Sequence, residues 1–154
     1  MPRMRGSASI VIGATPEAVY AAVSDVPRLG GLGPECYRCE WNDGASEPKI
    51  GASFTGHNRL GEFDWSTCCE ITAADPGRLF AYEVVRPGVR YSRWTYTFEP
   101  DGAGTRVTES FEVYRLASVL KDSSAEQLAQ RERMLVDGMR ETLAALKRTL
   151  ESPG

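Results

Sequence analysis

Apolar and polar residues alternate through the middle of the chain, which is the pattern of strands in a sheet with one buried face. Dipeptides typical of hairpin turns separate the alternating runs. These are Asp43-Gly44, Leu60-Gly61, Pro76-Gly77, Pro87-Gly88 and Asp101-Gly102. The pattern predicts six consecutive strands between residues 33 and 115, and residues 7–12 add a short strand before them.

Helical patterns flank the strands at both ends. Residues 15–17, Thr-Pro-Glu, combine an N-cap, a first-turn proline and an acid that favours the helix dipole. They predict a pair of short helices that ends by about residue 33. Near the C-terminus, Ser123 and Glu126 match a capping box and predict a helix over roughly 124–150. At 1.5 Å per residue this helix is about 40 Å long, enough to cross the sheet.

Strand periodicity assigns most side chains to one face of the sheet or the other. One face is mainly apolar, and the long C-terminal helix with its leucine stripe is its predicted cover. Glu109 is the exception on this face, because it alternates with Val107 and Phe111. His57, the only histidine, falls on the polar face. Residues 79–85 are apolar in both registers, so their sides stay unassigned.

A strongly curved sheet touches a single helix along a line, so a cavity is expected where the flanks of the sheet diverge from the helix. The predicted ligand-binding residues share the apolar face of the sheet or the stripe of the helix. They are Phe54, Asn58, Trp65, Thr67, Trp94, Tyr96, Glu109, Phe111, Leu135, Met139 and Leu143. Tyr96, Asn58 and Thr67 supply hydrogen-bonding groups that would orient a guest. The alternative is that these side chains fill the core and leave no cavity.

Four separated segments resemble the START-like helix-grip (SRPBCC) superfamily: residues 8–26, 50–59, 98–112 and 138–147. They are most similar to its polyketide cyclase/dehydrase and lipid transport branch. The resemblance implies one α+β helix-grip domain over residues 1–154, with a curved antiparallel sheet of about seven strands wrapped around a long C-terminal helix and two short helices after strand 1. It also implies a central cavity for a lipid, sterol, polyketide or plant hormone.

The chain departs from this resemblance in one segment. Relatives often carry a tryptophan before a Ser/Asn-Pro step after the second helix, whereas this chain has the glycine-rich segment Gly30–Pro34. A mobile loop at that position would gate the mouth of the expected cavity.

Composition and charge exclude several other classes of protein. The chain is 42% hydrophobic and 25% charged, as in ordinary globular domains, and its net charge of −3 argues against nucleic acid as a partner. It has no apolar stretch long enough for stable membrane insertion and no signal-peptide pattern, so a cytoplasmic location is expected. The glycines of residues 30–33 do not form a nucleotide-binding loop, and no cofactor is expected. A homodimer stays open.

Four cysteines, Cys36, Cys39, Cys68 and Cys69, raise the possibilities of a zinc site or of disulfides. Residues three apart on a strand point to opposite faces, and so do adjacent residues. This parity separates Cys36 from Cys39 and Cys68 from Cys69. It favours reduced, buried or half-buried thiols and no metal site.

Glu109 is the main candidate for chemistry, because a carboxyl group on an apolar face has a raised pKa unless a cation or several donors meet it. It would act as a general acid or base, with Tyr96 as a second candidate. The alternatives are an ion pair with Arg59 or Arg131, or a bulge that turns the side chain outward. His57 is disfavoured as a catalytic base because it faces water. Glu132, in a gap of the helical stripe, either faces the cavity or is solvated.

These observations leave three hypotheses about function. The first is a carrier or sensor of a hydrophobic small molecule. The second is a cofactor-independent polyketide cyclase/dehydratase, in which the cavity folds a reactive chain and a polar group moves a proton. The third is an interaction module with a filled core.

Overall fold

A computed structural model describes residues 2–152 of the chain. Its strands are β1 (Met4–Ile12), β2 (Cys36–Trp41), β3 (Ser53–Leu60), β4 (Phe63–Asp75), β5 (Leu79–Arg86), β6 (Val89–Asp101) and β7 (Gly104–Val113). Its helices are α1 (Pro16–Ser24), α2 (Val26–Leu29) and α3 (Ala125–Glu151), with a 3₁₀ turn at Ser118–Leu120. Residues 1, 153 and 154 lie outside this description, and the single domain over 1–154 stays a prediction.

The strands form one antiparallel sheet in the order β1-β7-β6-β5-β4-β3-β2. Strands β2 to β7 are therefore neighbours in chain order, as their hairpin turns predict, and β1 closes on β7. β1 begins at Met4, three residues earlier than predicted. Together with the long C-terminal helix and the two short helices, this arrangement confirms the α+β helix-grip fold.

The helix starts follow local capping chemistry, with one correction. Thr15 caps α1, where its Oγ1 accepts a hydrogen bond from the Ala18 backbone N at 3.2 Å. The capping box of α3 is formed by Ser124 and Gln127, one residue later than the predicted pair Ser123 and Glu126. The Ser123 backbone N instead donates to Leu120 O in the preceding turn, which leaves Ser124 as the residue that enters the helix.

Helix α3 packs chiefly along β1, at one edge of the sheet. Its side chains also bond to the backbone of this segment: Glu132 accepts from Arg5 N at 2.9 Å, Lys147 donates to Val11 O at 2.9 Å, and Glu151 accepts from Gly13 N at 2.6 Å. These contacts join the helix to the β1 edge along its length. Glu132 therefore does not face the cavity.

The register of β5 settles the side that periodicity left unassigned. Tyr82 lies opposite Ile71 of β4 and Trp94 of β6, so Phe80, Tyr82 and Val84 face inward. Ala81 points the other way and is fully buried as well. Because buried side chains lie on both faces of β5, apolar residues occur at both sets of alternating positions. Within the described residues, no helix is both long enough and apolar enough to cross a membrane.

Candidate functional site

A cavity of about 1720 Å³ lies between α3 and the inner face of the sheet, and it is partly open to solvent. It exists because α3 is attached at the β1 edge, while β3 to β6 curve away from the helix. Its deep end contains the buried side chains of Tyr96 and Glu109. Its rim includes the exposed side chains of Leu60, Phe63 and Val119.

Most of the predicted ligand-binding residues line this cavity. They are Phe54, Asn58, Trp65, Thr67, Trp94, Tyr96, Glu109, Leu135 and Met139. Phe111 and Leu143 do not line it. Phe111 is stacked behind Trp94, with ring centroids 5.0 Å apart, and Leu143 is packed in the main core. Periodicity identifies the face on which a side chain lies but not its depth. Contact of the lining residues with a ligand stays a prediction.

Glu109 is buried at the deep end, with only 4% of its surface exposed. Its Oε1 has no hydrogen-bond partner among the described residues. Burial raises its pKa to about 8, and an interaction with the Tyr96 hydroxyl partly offsets that rise. The carboxyl group is therefore largely protonated at neutral pH, and it can donate a hydrogen bond into the cavity.

Two arginines that were considered as ion-pair partners of Glu109 pair elsewhere. Arg59 donates to Asp64 at 2.7 Å on the outer surface. Arg131 makes two bonds to Glu35, at 2.6 and 2.7 Å. The outward turn of Glu109 by a bulge is also wrong, because Glu109 and Tyr96 are directly opposite in the regular β6–β7 pairing. Among the residues that the structure describes, Glu109 is left as a buried acid without a cation.

Two tyrosine hydroxyls accompany this carboxyl group. Tyr96 lies opposite Glu109, and Tyr82 lies on the adjacent strand β5 and also lines the cavity. Burial is the main cause that raises the pKa of each phenol well above its ordinary value, and the nearby Glu109 adds to the rise. Both phenols are therefore neutral donors. Sequence reasoning missed Tyr82 because the two apolar registers of β5 hid its direction.

The pair Arg131–Glu35 bridges the rim of the cavity. It joins α3 to the segment before β2, and both side chains are only 18% exposed. The preceding glycines fit closely against their neighbours: a Cβ on Gly30 would lie 2.4 Å from Cys39 N, and one on Gly33 would lie 2.5 Å from Thr142 Oγ1. The glycine-rich segment is thus packed against both β2 and α3. No composition signal pointed to the Arg131–Glu35 pair.

The prediction that the two cysteines of a pair point to opposite faces is wrong for Cys36 and Cys39 and is confirmed for Cys68 and Cys69. Cys36 and Cys39 are on the same face, with Sγ atoms 3.4 Å apart, because a bulge at Tyr37 inserts one extra residue between them. Cys68 is exposed, where its Sγ lies 3.5 Å from Ser53 Oγ, whereas Cys69 is buried. Burial raises the pKa of Cys69 to about 12. Within residues 2–152, no three His, Cys, Asp or Glu side chains come together in a group that could hold a metal ion.

His57 lies on the outer face of the sheet, as its periodicity predicts. Its Nε2 is 2.7 Å from Glu40 Oε1, and its Nδ1 is 3.2 Å from Ser66 Oγ. The hydrogen bond from His57 is the main cause that lowers the pKa of Glu40, and Arg38 adds to the effect. This polar cluster lies on the outer face of the sheet, and its Ser66 is also among the residues that line the cavity.

Comparisons with known proteins agree with this geometry. A family model described as polyketide cyclase / dehydrase and lipid transport matches residues 3–151. A polyketide-cyclase-like protein from Corynebacterium glutamicum, solved by NMR, is 35% identical, with a TM-score of 0.66 over 98% of this chain and 94% of that chain. A search of curated proteins found no match.

More distant structures share the fold. A major latex-like protein from Panax ginseng is 13% identical, with a TM-score of 0.69 over 96% of this chain and 97% of that chain. The di-domain ARO/CYC StfQ from the steffimycin biosynthetic pathway is 12% identical, with a TM-score of 0.75 over 96% of this chain and 50% of that chain. The nearly full-length family match, together with the helix-grip cavity, shows that the chain belongs to the polyketide cyclase/dehydrase and lipid transport family.

Proposed function

We propose that the protein binds a hydrophobic small molecule in its central cavity and acts as a carrier or sensor in the cytoplasm. The observation that carries this proposal is the cavity itself. Its volume of about 1720 Å³ exceeds the roughly 300–1,000 Å³ of common ligand pockets. Its walls are mainly aromatic and aliphatic, so a large, mostly apolar guest fits them. The four free thiols are consistent with a reducing compartment.

The deep end indicates the polar group of this guest. A protonated Glu109 and the phenols of Tyr82 and Tyr96 all offer hydrogen-bond donors there. A neutral carbonyl or hydroxyl oxygen would satisfy these donors, whereas a carboxylate beside Glu109 would be buried where the described residues supply no cation. The guest is therefore an apolar molecule with a neutral oxygen at its inner end.

Native mass spectrometry of gently purified protein tests the proposal, followed by extraction and identification of any bound molecule. Added sterols, neutral aromatic ketones and fatty acids then provide a ligand panel, and we expect the neutral oxygenated compounds to bind more tightly than fatty acids. Thr67→Trp would fill the cavity and reduce binding. Thr95→Trp, the same change on a β6 residue whose side chain points to the outer face, is the matched control. Absence of binding throughout the panel would contradict the carrier proposal.

A second candidate function is a polyketide cyclase/dehydratase, and the buried Glu109 specifically favours it. As a neutral acid, Glu109 would donate a hydrogen bond to a ketone oxygen; as a carboxylate, it would accept a proton from the carbon between two ketones. A pKa of about 8 makes both forms accessible near neutral pH. The cavity would hold the chain in the geometry that cyclises.

The substitution Glu109→Gln separates the two functions, because it keeps the shape of the side chain and removes its acid–base capacity. A cyclase predicts that turnover of a reactive poly-β-ketone falls about 100-fold while its binding is nearly unchanged. Product formation is measured by chromatography against the uncatalysed reaction. Unchanged product formation, with altered affinity only, would support the carrier.

A further inference from the structure

Two thiols stand side by side in the wall of the cavity. The Sγ atoms of Cys36 and Cys39 are 3.4 Å apart, and both residues line the cavity. Their placement follows from the bulge in β2, since Cys36 pairs with Asn58 and Cys39 pairs with Gly56, and those two partners are on the same face of β3. The two thiols thus lie opposite two residues of β3 that are two positions apart and share a face.

The opposing strand leaves room for these sulfur atoms. A Cβ on Gly56 would lie 3.6 Å from Cys36 Sγ and 4.0 Å from Cys39 Sγ, so the missing side chain opens the space into which both thiols project. A disulfide needs a sulfur–sulfur distance of about 2.05 Å. The two sulfur atoms would have to approach each other by little more than 1 Å. Rotation of the two side chains within this segment of four residues would bring them together.

The two thiols also differ in acidity. The pKa of Cys36 is lowered, chiefly by its hydrogen bond with Cys39, while the pKa of Cys39 is raised by that same interaction and by burial. Cys36 is half-buried and Cys39 is buried. An external reagent therefore meets the more acidic thiol first, and the less accessible thiol lies directly behind it.

We propose that Cys36 and Cys39 form a redox-modifiable dithiol site, which exchanges with low-molecular-weight disulfides and closes to an intramolecular disulfide. The Cys36 thiolate attacks one sulfur of the small disulfide, forms a mixed disulfide and releases one thiolate, which takes up the proton lost by Cys36. Cys39 then loses its proton and attacks the Cys36 sulfur, and the second small thiol leaves. Two protein thiols are oxidised and one small disulfide is reduced to two thiols.

This site is adjacent to the rim of the cavity. Gly31 N donates to Cys36 O at 2.9 Å, and Glu35, the residue before Cys36, is paired with Arg131. The proposed thiol chemistry depends on the positions of Cys36 and Cys39 in the cavity wall and not on the proposed ligand. A bound ligand would shield the pair from reagents that arrive through the cavity.

The other two cysteines provide an internal contrast. Cys68 and Cys69 are adjacent on β4 and point to opposite faces, with Cys68 exposed and Cys69 buried. Each of these thiols is positioned to form its own adduct, and the two are not positioned to form a disulfide with each other. Substitution of Cys68 removes the exposed thiol and leaves Cys36 and Cys39 unchanged.

The test treats the reduced, ligand-free Cys68→Ser chain with oxidised glutathione, blocks remaining thiols with N-ethylmaleimide and measures intact mass and peptide masses. We expect the main product to have lost two hydrogen atoms, with a disulfide-linked peptide that contains Cys36 and Cys39. We also expect Cys68→Ser/Cys39→Ser to stop at a stable glutathione adduct on Cys36.

A persistent glutathione adduct on Cys36 in the Cys68→Ser chain, with Cys39 still free to alkylate, would overturn the proposal. Full alkylation of both residues after the glutathione treatment would overturn it equally. Cys68→Ser/Cys36→Ser keeps the test decisive if the Cys39 variant does not fold, because we then expect neither the two-hydrogen loss nor an adduct on Cys39. All of these mass measurements use ligand-free protein, so a failure of ligand binding would not affect them.

Discussion

The two sides of α3 meet the same sheet in opposite ways. Along β1 the helix is in close contact, to the point that a Cβ on Gly6 would lie 2.5 Å from Val136 Cγ2. Toward β3, β4 and β6 the same helix faces a cavity of about 1720 Å³. Stability and function are therefore separated across one helix: the β1 side fixes its position, and the opposite side is free to accommodate a guest.

The largest contrast is expected from the same substitution at two positions of α3. Leu143 is 1% exposed in the main core, so Leu143→Ala should lower the free energy of unfolding by about 2–5 kcal/mol. Leu135 is half-buried on the cavity wall, and Leu135→Ala should cost clearly less while weakening ligand binding. Denaturant unfolding and ligand titration measure the two effects. Equal losses of stability would contradict the placement of Leu143 in the packed core and of Leu135 on the wall of an open cavity.

The next effect tests the close approach at β1. Gly6→Ala places a methyl group against Val136 and the ring of Phe111, at 2.5 and 3.0 Å, and should destabilise the fold by about 1–3 kcal/mol through overpacking. Gly44→Ala is a control for the added methyl group itself, since no atom lies within 4 Å of its Cβ position, although its positive φ adds a cost of its own. Unfolding curves of both variants make the comparison. A Gly6 variant as stable as the wild type would show that α3 can shift away from β1.

Much of this architecture follows from local patterns, and the site follows only in part. Hairpin dipeptides and alternation specify the order of the strands, and alternation places Glu109 and Tyr96 on the inner face. The bulge at Tyr37 has no such signal, since one inserted residue reverses parity without changing composition. Whether Phe111 lines the cavity or supports Trp94 depends on how far the helix stands from the sheet, which is a tertiary property.

The titration of Glu109 has a smaller effect for each pH unit, and it originates at the open side. The pKa of Glu109 is about 8 in the folded chain, against 4.5 for an exposed carboxyl group. Between these values the unfolded chain has lost this proton while the folded chain keeps it, so the contribution of Glu109 to stability falls as pH rises, by about 1.4 kcal/mol per pH unit at most. Glu109→Gln should remove this slope. Unfolding midpoints at pH 5, 6.5 and 8 (roughly the limits of this window) measure it, and parallel profiles of the two proteins would refute it.

The smallest effects come from adjacent residues of α3 that point to its two sides. Glu132 accepts a hydrogen bond from Arg5 N on the β1 side, so Glu132→Ala should lower the free energy of unfolding by about 0.5–1.5 kcal/mol, and Glu132→Gln should restore part of it. Arg131 instead pairs with Glu35 at the rim of the cavity. Arg131→Gln should therefore change the rate of ligand release more than Glu132→Ala changes it. Stopped-flow displacement of a bound dye measures these rates. Faster ligand release in Glu132→Ala, with no change in Arg131→Gln, would contradict the role of Arg131 in ligand release. It would place the movable contact on the β1 side of the helix.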